Sequence, residues 1–418
     1  MTDRQTFVIV GAGLAGASAA AALRSEGFAG RIVLVGAEPH PPYERPPLSK
    51  GYLAGAADRA SVFVHPEPWY AENRVELRRS TRVTELDRRR HQVVLDSGDR
   101  LGYDRLLLTT GARPRTLAVL GADQVDVRYL RSVDDSDRLR TDFSPGARVV
   151  LVGAGWIGLE TAAAARGAGC DVVVLEHAEL PLLRVLGPEV AGVFAGLHRD
   201  HGVDLRCGVT LTGVRPAGPG RTSSATVHLD DGTELEADVV LAGVGVLPDT
   251  DLAGRAGLDV DDGILVDSEL RTSDPDVFAA GDVANAAHPL LGRSIRVEHW
   301  ANALNQPRTA ARAMLGLPTS YDRLPYFFSD QYDLGLEYTG YVSPGGYDQV
   351  VVRGDPASRQ FIAFWMSGAR VLAGMNVNVW DVTGPIGDLI RSGSPVDTAR
   401  LADPGVALAD AVTTSPAP

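Results

Sequence analysis

The amino-acid sequence predicts an α/β fold with two units of the same design, one inserted in the other, followed by a C-terminal α+β domain. Three observations predict it. An apolar strand that leads into G-x-G-x-x-G occurs twice, at residues 7–16 and 149–158. A helix-forming segment and a second apolar strand ending near an acidic residue follow each motif, with Glu38 after the first and Glu176 after the second. After about Leu324, short segments of strand character alternate with Gly and Pro turns.

The glycines of each motif predict a dinucleotide-binding site. The first glycine allows a sharp turn out of the strand, the second lets the backbone approach a pyrophosphate, and the third lets the helix pack on the sheet. The phosphates then meet the positive end of the helix, and an acid about 20 residues later accepts a hydrogen bond from a ribose hydroxyl. We therefore predict two Rossmann-like dinucleotide-binding domains. Their glycines are Gly11, Gly13 and Gly16 in the first and Gly153, Gly155 and Gly158 in the second.

The order of strands along the chain predicts the domain boundaries. The closing segment of the second unit, residues 237–245, reads as a buried parallel strand that delivers glycines to a ligand. Residues 277–280 read as another strand, ending at Gly281 and Asp282, and a helix from about 301 to 315 follows. The first unit therefore resumes after the second. We predict a first domain at 1–112 and 244–324, a second at 113–243, and a C-terminal domain at 325–418.

The C-terminal domain is predicted to be antiparallel, with one helix near 380–391. Trp365 and Trp380 are expected in its core, and residues 412–418 are expected to be disordered. Its strands are predicted around 338–342, 349–353, 360–366 and 370–376.

Composition excludes several classes of function. A formal net charge of −13 argues against bulk nucleic-acid binding, and no apolar run approaches the length of about 20 residues that spans a bilayer. The first predicted strand begins almost at once, without a signal peptide, so we expect a cytoplasmic protein. Cys170 and Cys207 form neither a redox dithiol motif nor a thiolate zinc motif. His198 and His201, although near Cys207, lack a further ligand at suitable spacing, so no metal site is predicted.

Lys50 is the single lysine of the chain, and the other 39 positively charged side chains are arginine. A coding preference for arginine would explain the 39 arginines, with one lysine left by chance. The functional interpretation is that this position needs a compact ammonium on a flexible stem, which a planar guanidinium does not provide. Lys50 ends a proline-rich loop, residues 39–50, whose stiffness suits a segment that holds side chains in place.

Five motifs together resemble a known family. They are Arg-Pro-Pro-Leu-Ser-Lys at 45–50, Thr-Thr-Gly-Ala at 109–112, the second glycine motif with Glu160, Gly-Asp-Val-Ala at 281–284 and Glu-His-Trp-Ala-Asn-Ala at 298–303. Over nearly its whole length the chain resembles the FAD-dependent NADH:ferredoxin reductases of bacterial dioxygenase and P450 systems, the putidaredoxin reductase-like family with the pyridine nucleotide-disulfide oxidoreductase fold. It is more distantly similar to the apoptosis-inducing factor of mitochondria.

The resemblance assigns the first site to non-covalent FAD. It implies that Asp282 binds the ribityl chain, that Arg45 and Lys50 reach the phosphates and the flavin edge, and that Phe328 stands where relatives carry tryptophan. Phenylalanine keeps an apolar face but lacks the indole N–H. The implied FAD residues are Gly11, Gly13, Gly16, Glu38, Arg45, Lys50, Val83, Gly281, Asp282, Glu298, His299, Trp300 and Phe328.

The resemblance assigns the second site to NADH, with Lys50 and Glu160 as a catalytic pair near the flavin N5. Glu176 favours NADH, because a carboxylate accepts a hydrogen bond from a 2′-hydroxyl and repels a 2′-phosphate. Arg184 leaves NADPH open, since an arginine can accommodate that phosphate. The implied NADH residues are Gly153, Gly155, Ile157, Gly158, Glu160, Glu176, Arg184, Gly243 and Gly245.

The missing cysteine pair shapes the predicted reaction. Disulfide reductases of this layout pass electrons through cysteines near the flavin, so here the electrons must go directly to an external acceptor. The resemblance implies a small iron–sulfur ferredoxin that serves a P450 or a Rieske-type dioxygenase. Arg308 and Arg312, four apart on one helix, are candidates for docking it, although a solvated helix face is the alternative.

Other readings of the function stay open. The chain could be an NADH- and FAD-dependent redox-sensing interaction protein, similar to the apoptosis-inducing factor. It could also reduce a rubredoxin, a quinone or a small oxidant. A monomer or weak homodimer is expected.

Overall fold

The computed structural model describes residues 5–218 and 223–413 of the chain, which divides into two compact units. The chain crosses between the units several times, and the segment 47–57, which carries Lys50, belongs with unit 2. The three-domain division from the sequence stays a prediction. Unit 1 comprises Met1–Pro46, Asp58–Arg113 and Val246–Pro325, and unit 2 comprises Pro47–Ala57, Pro114–Gly245 and Tyr326–Pro418.

Unit 1 is built on a parallel sheet, as the apolar strand runs predict. Apart from the edge strand Val75–Arg78, which alternates apolar and polar residues, its strands are mostly buried, and their sequences are continuous apolar runs. Val277–Ala279 pairs in parallel with Arg105–Leu108, so the chain does return to the first sheet after the insertion. In spatial order the described strands are Val277–Ala279, Arg105–Leu108, Thr6–Val10, Arg31–Val35 and Val75–Arg78.

Two helices of unit 1, Leu14–Ser25 and Trp300–Met314, pack against each other. Small side chains permit their close approach, because Ala17, Ala310 and Ala311 are completely buried. Unit 1 also contains the short helices Pro68–Glu72 and Asp251–Arg255 and two small sheets. These sheets are formed by Val83–Asp87, Gln92–Leu95 and Arg100–Gly102, and by Ile264–Val266, Ala284–His288 and Arg293–Arg296.

Unit 2 contains a second parallel sheet of the same design. The helix Trp156–Gly167 begins directly after the second glycine motif, and Leu183–Asp200 follows the next strand. The sheet strands, in spatial order, are Asp204–Cys207, Asp171–Glu176, Arg148–Val152 and Val239–Ala242. Beside them lie the helix Val133–Asp142 and an antiparallel sheet of Leu211–Pro216, Ala225–Leu229 and Glu234–Ala237. These parallel sheets confirm the predicted α/β class.

The last part of unit 2 is an antiparallel sheet followed by helices, as predicted. The first strand, Tyr326–Gln331, was not predicted as a separate strand. The described strands, in spatial order, are Tyr326–Gln331, Leu334–Gly340, Arg370–Val377, Gln360–Ser367 and Gln349–Asp355, and the helices are Thr383–Ser392 and Thr398–Ala402.

Trp365 confirms one core prediction and Trp380 contradicts another. Trp365 is fully buried, and its Nε1 donates to the carbonyl of Leu186, 3.2 Å away. Trp380 is 53% exposed, so placing it in the core was wrong. It follows Arg370–Val377 in a turn with two left-handed residues, and its ring lies over Gly335, where a Cβ would come within 2.7 Å of the indole.

The chain terminus is partly ordered, contrary to prediction. Val412 forms a β-bridge with Val396, and the N–H of Thr413 donates to the carbonyl of Pro395 at 2.9 Å. Residues 414–418, the rest of the predicted disordered tail, lie outside the described residues. In the portion of the chain that is described, no helix has both the length and the apolarity needed to cross a bilayer.

His198 lies in the core of unit 2. Its Nε2 is 2.9 Å from Oε1 of Gln331, and its ring meets Tyr332 edge to face. Burial lowers the pKa of His198 to about 4. The imidazole therefore serves packing and hydrogen bonding as a neutral group.

We expect the pKa of His198 to make the protein sensitive to mild acid. Between pH 6.5 and about 4 His198 is protonated in the unfolded chain but stays neutral in the folded one. The free energy of unfolding therefore falls as pH falls. At pH 5 this contribution is about 2 kcal/mol. The test is the variant His198→Gln, which can still donate to Gln331. Between pH 7 and 5 its free energy of unfolding, measured in urea, should fall by about 2 kcal/mol less than that of the wild type.

His201→Gln is the matched control, because His201 is partly exposed and stacks on Tyr332. Equal pH dependence in His198→Gln and wild type would contradict the assignment.

Candidate functional site

The outer glycines of the first motif are required by the protein's own packing. Gly11 has a φ of +114°, and a Cβ there would lie 2.1 Å from the carbonyl oxygen of Thr109. At Gly16 a Cβ would lie 2.1 Å from the Gly11 oxygen. Any larger residue at either position would displace backbone.

The outer glycines of the second motif are constrained in the same way. Gly153 has a φ of +100°, and a Cβ there would lie 2.5 Å from the carbonyl oxygen of Gly243, so these two residues lie side by side. At Gly158 a Cβ would lie 2.2 Å from the Gly153 oxygen. Gly245, with a φ of +99°, follows in the same loop.

The middle glycines differ. Apart from the residues adjacent in the chain, no atom of the described residues lies within 4 Å of the point where a Cβ would stand on Gly13 or Gly155. Both residues have extended φ and ψ angles that any residue adopts, and both immediately precede a helix. Protein packing therefore does not require glycine there. A ligand lying against the helix N-terminus would, so both cradles fit a pyrophosphate.

Glu38 and Arg45 meet each other at the edge of the first sheet. The hydroxyl of Tyr43 donates to Glu38 at 2.5 Å, and Arg45 lies 3.6 Å from the same carboxylate. Glu38 follows the carboxyl end of the strand Arg31–Val35, as the sequence predicts. The predicted contacts of Glu38 with ribose and of Arg45 with phosphate stay predictions.

Gly281 and Asp282 follow the strand Val277–Ala279, as predicted. Gly281 has a φ of +82°, and its N–H donates to Oε1 of Gln306 at 2.8 Å. Gln306 was missed from the sequence, because a polar residue inside a helix gives no signal of its partner.

His299 and Trp300 lie at the start of the helix Trp300–Met314. Burial lowers the pKa of His299 to about 4, an effect that the charge of Asp282 opposes.

The remaining unit 1 residues predicted for FAD occupy a strand and a loop. Val83 begins the strand Val83–Asp87 and pairs with Leu95. Glu298 forms an ion pair with Arg296.

Unit 2 brings Lys50 and Glu160 together. Nζ of Lys50 lies 2.8 Å from Oε1 of Glu160, and the two side chains are 15% and 3% exposed. The Lys50 ammonium also lies 5.4 Å from the ring of Phe328. The pair is thus a real feature of the fold, whereas its catalytic role stays a prediction.

Two serines at this pair were missed from the sequence. Ser49 Oγ donates to Oε2 of Glu160 at 2.5 Å, and Ser329 Oγ donates to Oε1 at 2.6 Å. The neighbouring Asp330 has a raised pKa because of desolvation, with Lys50 lowering it and Glu160 raising it. Serine is too common for its sequence position to reveal such a contact.

Glu176 binds the second glycine motif itself. It accepts hydrogen bonds from the backbone N–H groups of Ala154, at 2.7 Å, and Ala178, at 2.9 Å. The acid that should meet the ribose therefore also shapes the cradle. Arg184 lies exposed at the start of Leu183–Asp200, and Ile157 is 47% exposed beside the open glycine.

Arg308 and Arg312 share a helix face, as their spacing predicts. Arg312 lies 2.7 Å from Glu26 and Arg308 lies 3.6 Å from it. Arg308 is 71% exposed and Arg312 is 33% exposed. One glutamate thus neutralises part of the predicted basic surface.

Comparison with known proteins identifies the family. The pyridine nucleotide-disulphide oxidoreductase family matches residues 5–307, and the reductase C-terminal family matches residues 326–412. The chain belongs to the pyridine nucleotide-disulphide oxidoreductase family. The predicted resemblance is confirmed.

Several relatives cover almost the whole chain. The anthranilate 1,2-dioxygenase system ferredoxin–NAD(+) reductase component of Burkholderia cepacia is 43% identical over 404 residues, 96% of this chain and 98% of that protein. Putidaredoxin reductase CamA of Pseudomonas putida is 39% identical over 415 residues, covering 99% and 98%. The crystal structure of the covalent putidaredoxin reductase–putidaredoxin complex matches with a TM-score of 0.92 and 39% identity, covering 97% of each chain.

The difference between middle and outer glycines is testable. Gly155→Ala adds a methyl group to open space, so we expect unfolding free energy to change by less than about 1 kcal/mol. The KM for NADH should rise about tenfold, since the backbone can no longer approach the pyrophosphate. Gly158→Ala should lose about 1–3 kcal/mol of stability instead. Thermal unfolding and steady-state kinetics measure the two effects, and equal destabilisation by both substitutions would refute the distinction.

Proposed function

We propose that the chain is an FAD-dependent NADH:ferredoxin reductase. The observation that carries the proposal is the presence of two glycine cradles, each with an open middle glycine, together with the buried Lys50–Glu160 pair. The reaction is NADH plus two oxidised ferredoxins giving NAD⁺, a proton and two reduced ferredoxins. FAD, when bound, accepts a hydride from NADH and releases its two electrons singly.

The names of the relatives define the acceptor class. They include dioxygenase-system components and putidaredoxin reductase, so the partner proposed for this chain is a small iron–sulfur ferredoxin that supplies a P450 or a dioxygenase. The same relatives favour this reading over redox sensing. A cytoplasmic location is part of the proposal, because NADH is supplied there.

The residues of unit 1 bind FAD in this proposal. Gly11, Gly13 and Gly16 make the pyrophosphate cradle, and Glu38 receives the adenosine ribose. Asp282, held after Gly281 by a turn that Gln306 fixes, receives the ribityl chain.

The residues of unit 2 bind and orient NADH. The cradle of Gly153, Gly155 and Gly158 takes the pyrophosphate, and Glu160 orients the nicotinamide end together with Lys50. Glu176 holds the cradle through Ala154 and accepts from the ribose.

The partner surface is proposed at Arg308 and Arg312. With Glu26 they carry one net positive charge, and the guanidinium of Arg308 is mostly exposed. A ferredoxin with acidic residues around its cluster would be attracted there, and salt would weaken the attraction.

Anaerobic titration tests the function. One equivalent of NADH should bleach the flavin of the purified holoprotein, and a catalytic amount should then reduce a [2Fe–2S] ferredoxin with two ferredoxins per NADH. The electron paramagnetic resonance signal of the reduced cluster measures how much ferredoxin has been reduced. A flavin that NADH leaves oxidised would exclude the proposal, whereas bleaching without cluster reduction would move the acceptor to another class.

Glu176 is predicted to set the preference for NADH. Glu176→Gln removes the charge that repels a 2′-phosphate but keeps an oxygen for one backbone N–H. The ratio of kcat/KM for NADH to that for NADPH should fall about tenfold or more. Glu179→Gln is the charge-matched control, because Glu179 is exposed in the same loop. An unchanged ratio in Glu176→Gln would assign the preference to other residues.

A further inference from the structure

The Glu160 carboxylate accepts from two hydroxyl groups in addition to the Lys50 ammonium. Oε1 accepts from Lys50 at 2.8 Å and from Ser329 at 2.6 Å, while Oε2 accepts from Ser49 at 2.5 Å. The Glu160 side chain is only 3% exposed, so water cannot serve its remaining lone pairs freely. The two hydroxyls replace that lost solvation.

The two serines reach Glu160 from different parts of the chain. Ser49 belongs to the turn Pro46–Ser49, directly before Lys50, and Ser329 lies on the strand Tyr326–Gln331 of the C-terminal sheet. Both serines are almost completely buried. Glu160 itself lies in the first turns of Trp156–Gly167, so three segments meet at one carboxylate.

Gln331 fixes the direction in which Ser329 donates. Nε2 of Gln331 donates to Oγ of Ser329 at 3.1 Å, which leaves the single hydroxyl proton of Ser329 for Glu160. Oε1 of Gln331 is in turn 2.9 Å from Nε2 of His198. Because Gln331 presents an acceptor there, the neutral His198 must carry its proton on Nε2. Successive donors thus all point toward Glu160, an arrangement in which each bond strengthens the next.

We propose that Ser329 and Ser49 are positioning residues for the Lys50–Glu160 pair. They hold the carboxylate in one orientation, so that Lys50 has one fixed place, and Gln331 and His198 act on the pair through Ser329. The kinetic part of this proposal rests on the proposed function, whereas the orientation of Lys50 does not.

The single lysine provides a direct probe of that orientation. Protein labelled with ¹³C-lysine carries one labelled side chain, at Lys50. In wild-type holoprotein the two Cε protons should give distinct signals, because the ammonium is held in one place. In Ser329→Ala and Ser49→Ala the signals should merge, since the carboxylate can then rotate. Gln331→Met should cause a smaller change in the same direction.

Thr161→Val is the matched control. Thr161 follows Glu160, is fully buried and donates its hydroxyl to the Ile157 carbonyl at 2.6 Å, without contact to the carboxylate. The variant loses a buried hydroxyl one residue away, and its Lys50 signals should match wild type. Circular dichroism checks that all variants are folded.

Rapid-mixing kinetics give the second readout. Loss of either serine should slow reduction of the flavin by NADH about tenfold, while the KM for NADH changes less than about twofold, as expected for misplaced groups at an intact binding site. Thr161→Val should stay within about twofold of wild type in both quantities.

The outcomes separate the two proposals. Lys50 signals that are distinct in wild type and unchanged in both serine variants would overturn the positioning role. A wild-type flavin that NADH fails to reduce would overturn the proposed function, while merging of the lysine signals in the variants would still support the positioning role.

Discussion

The ion pair between Lys50 and Glu160 is the interaction on which the architecture of unit 2 is centred. Burying a carboxylate is costly unless donors surround it, and this chain supplies an ammonium and two hydroxyls. Those donors come from the segment 47–57 and from the C-terminal sheet, while the acceptor lies on the helix after the second glycine motif. Satisfying one charge therefore fixes how three stretches of chain pack. Together with the hydrogen bond from Ser136 to the carbonyl of Leu48, it ties the short segment 47–57, bordered on both sides by residues of unit 1, to unit 2.

The glycine motifs show how packing and ligand binding divide the work of one short sequence. The outer glycines leave no room for a Cβ against backbone oxygen, so the turn between strand and helix could not form with another residue. The middle glycine faces open space in both copies. A stability screen would thus recover four of these six positions, and a binding screen would recover the other two.

Periodic features of the fold were predictable from the sequence. Buried parallel strands give apolar runs. The doubled motif predicted both cradles, the apolar strand at 277–280 predicted the return of the chain to the first sheet, and five motifs together predicted the family. The prediction that Trp380 lies in the core was wrong. An aromatic residue between a strand and a helix suggests a core position, whereas here two residues in the left-handed conformation turn the side chain outward. Ser49, Ser329 and Gln306 could not be found, since a hydrogen bond between residues more than 20 positions apart leaves no local pattern. Lys50 was found through the rarity of its type, a signal that these common polar residues lack.

The presence of a single lysine affects how the protein is chemically modified. Acylating metabolites and reducing sugars attack ε-amines, and most proteins spread such damage over many harmless surface lysines. Here the ε-amine at risk is the one paired with Glu160, and it is only 15% exposed. Lys50 is thus the one ε-amine of the chain that such chemistry can modify, and its burial and its pairing with Glu160 slow the attack; the mass of the intact protein would report the fraction of molecules modified.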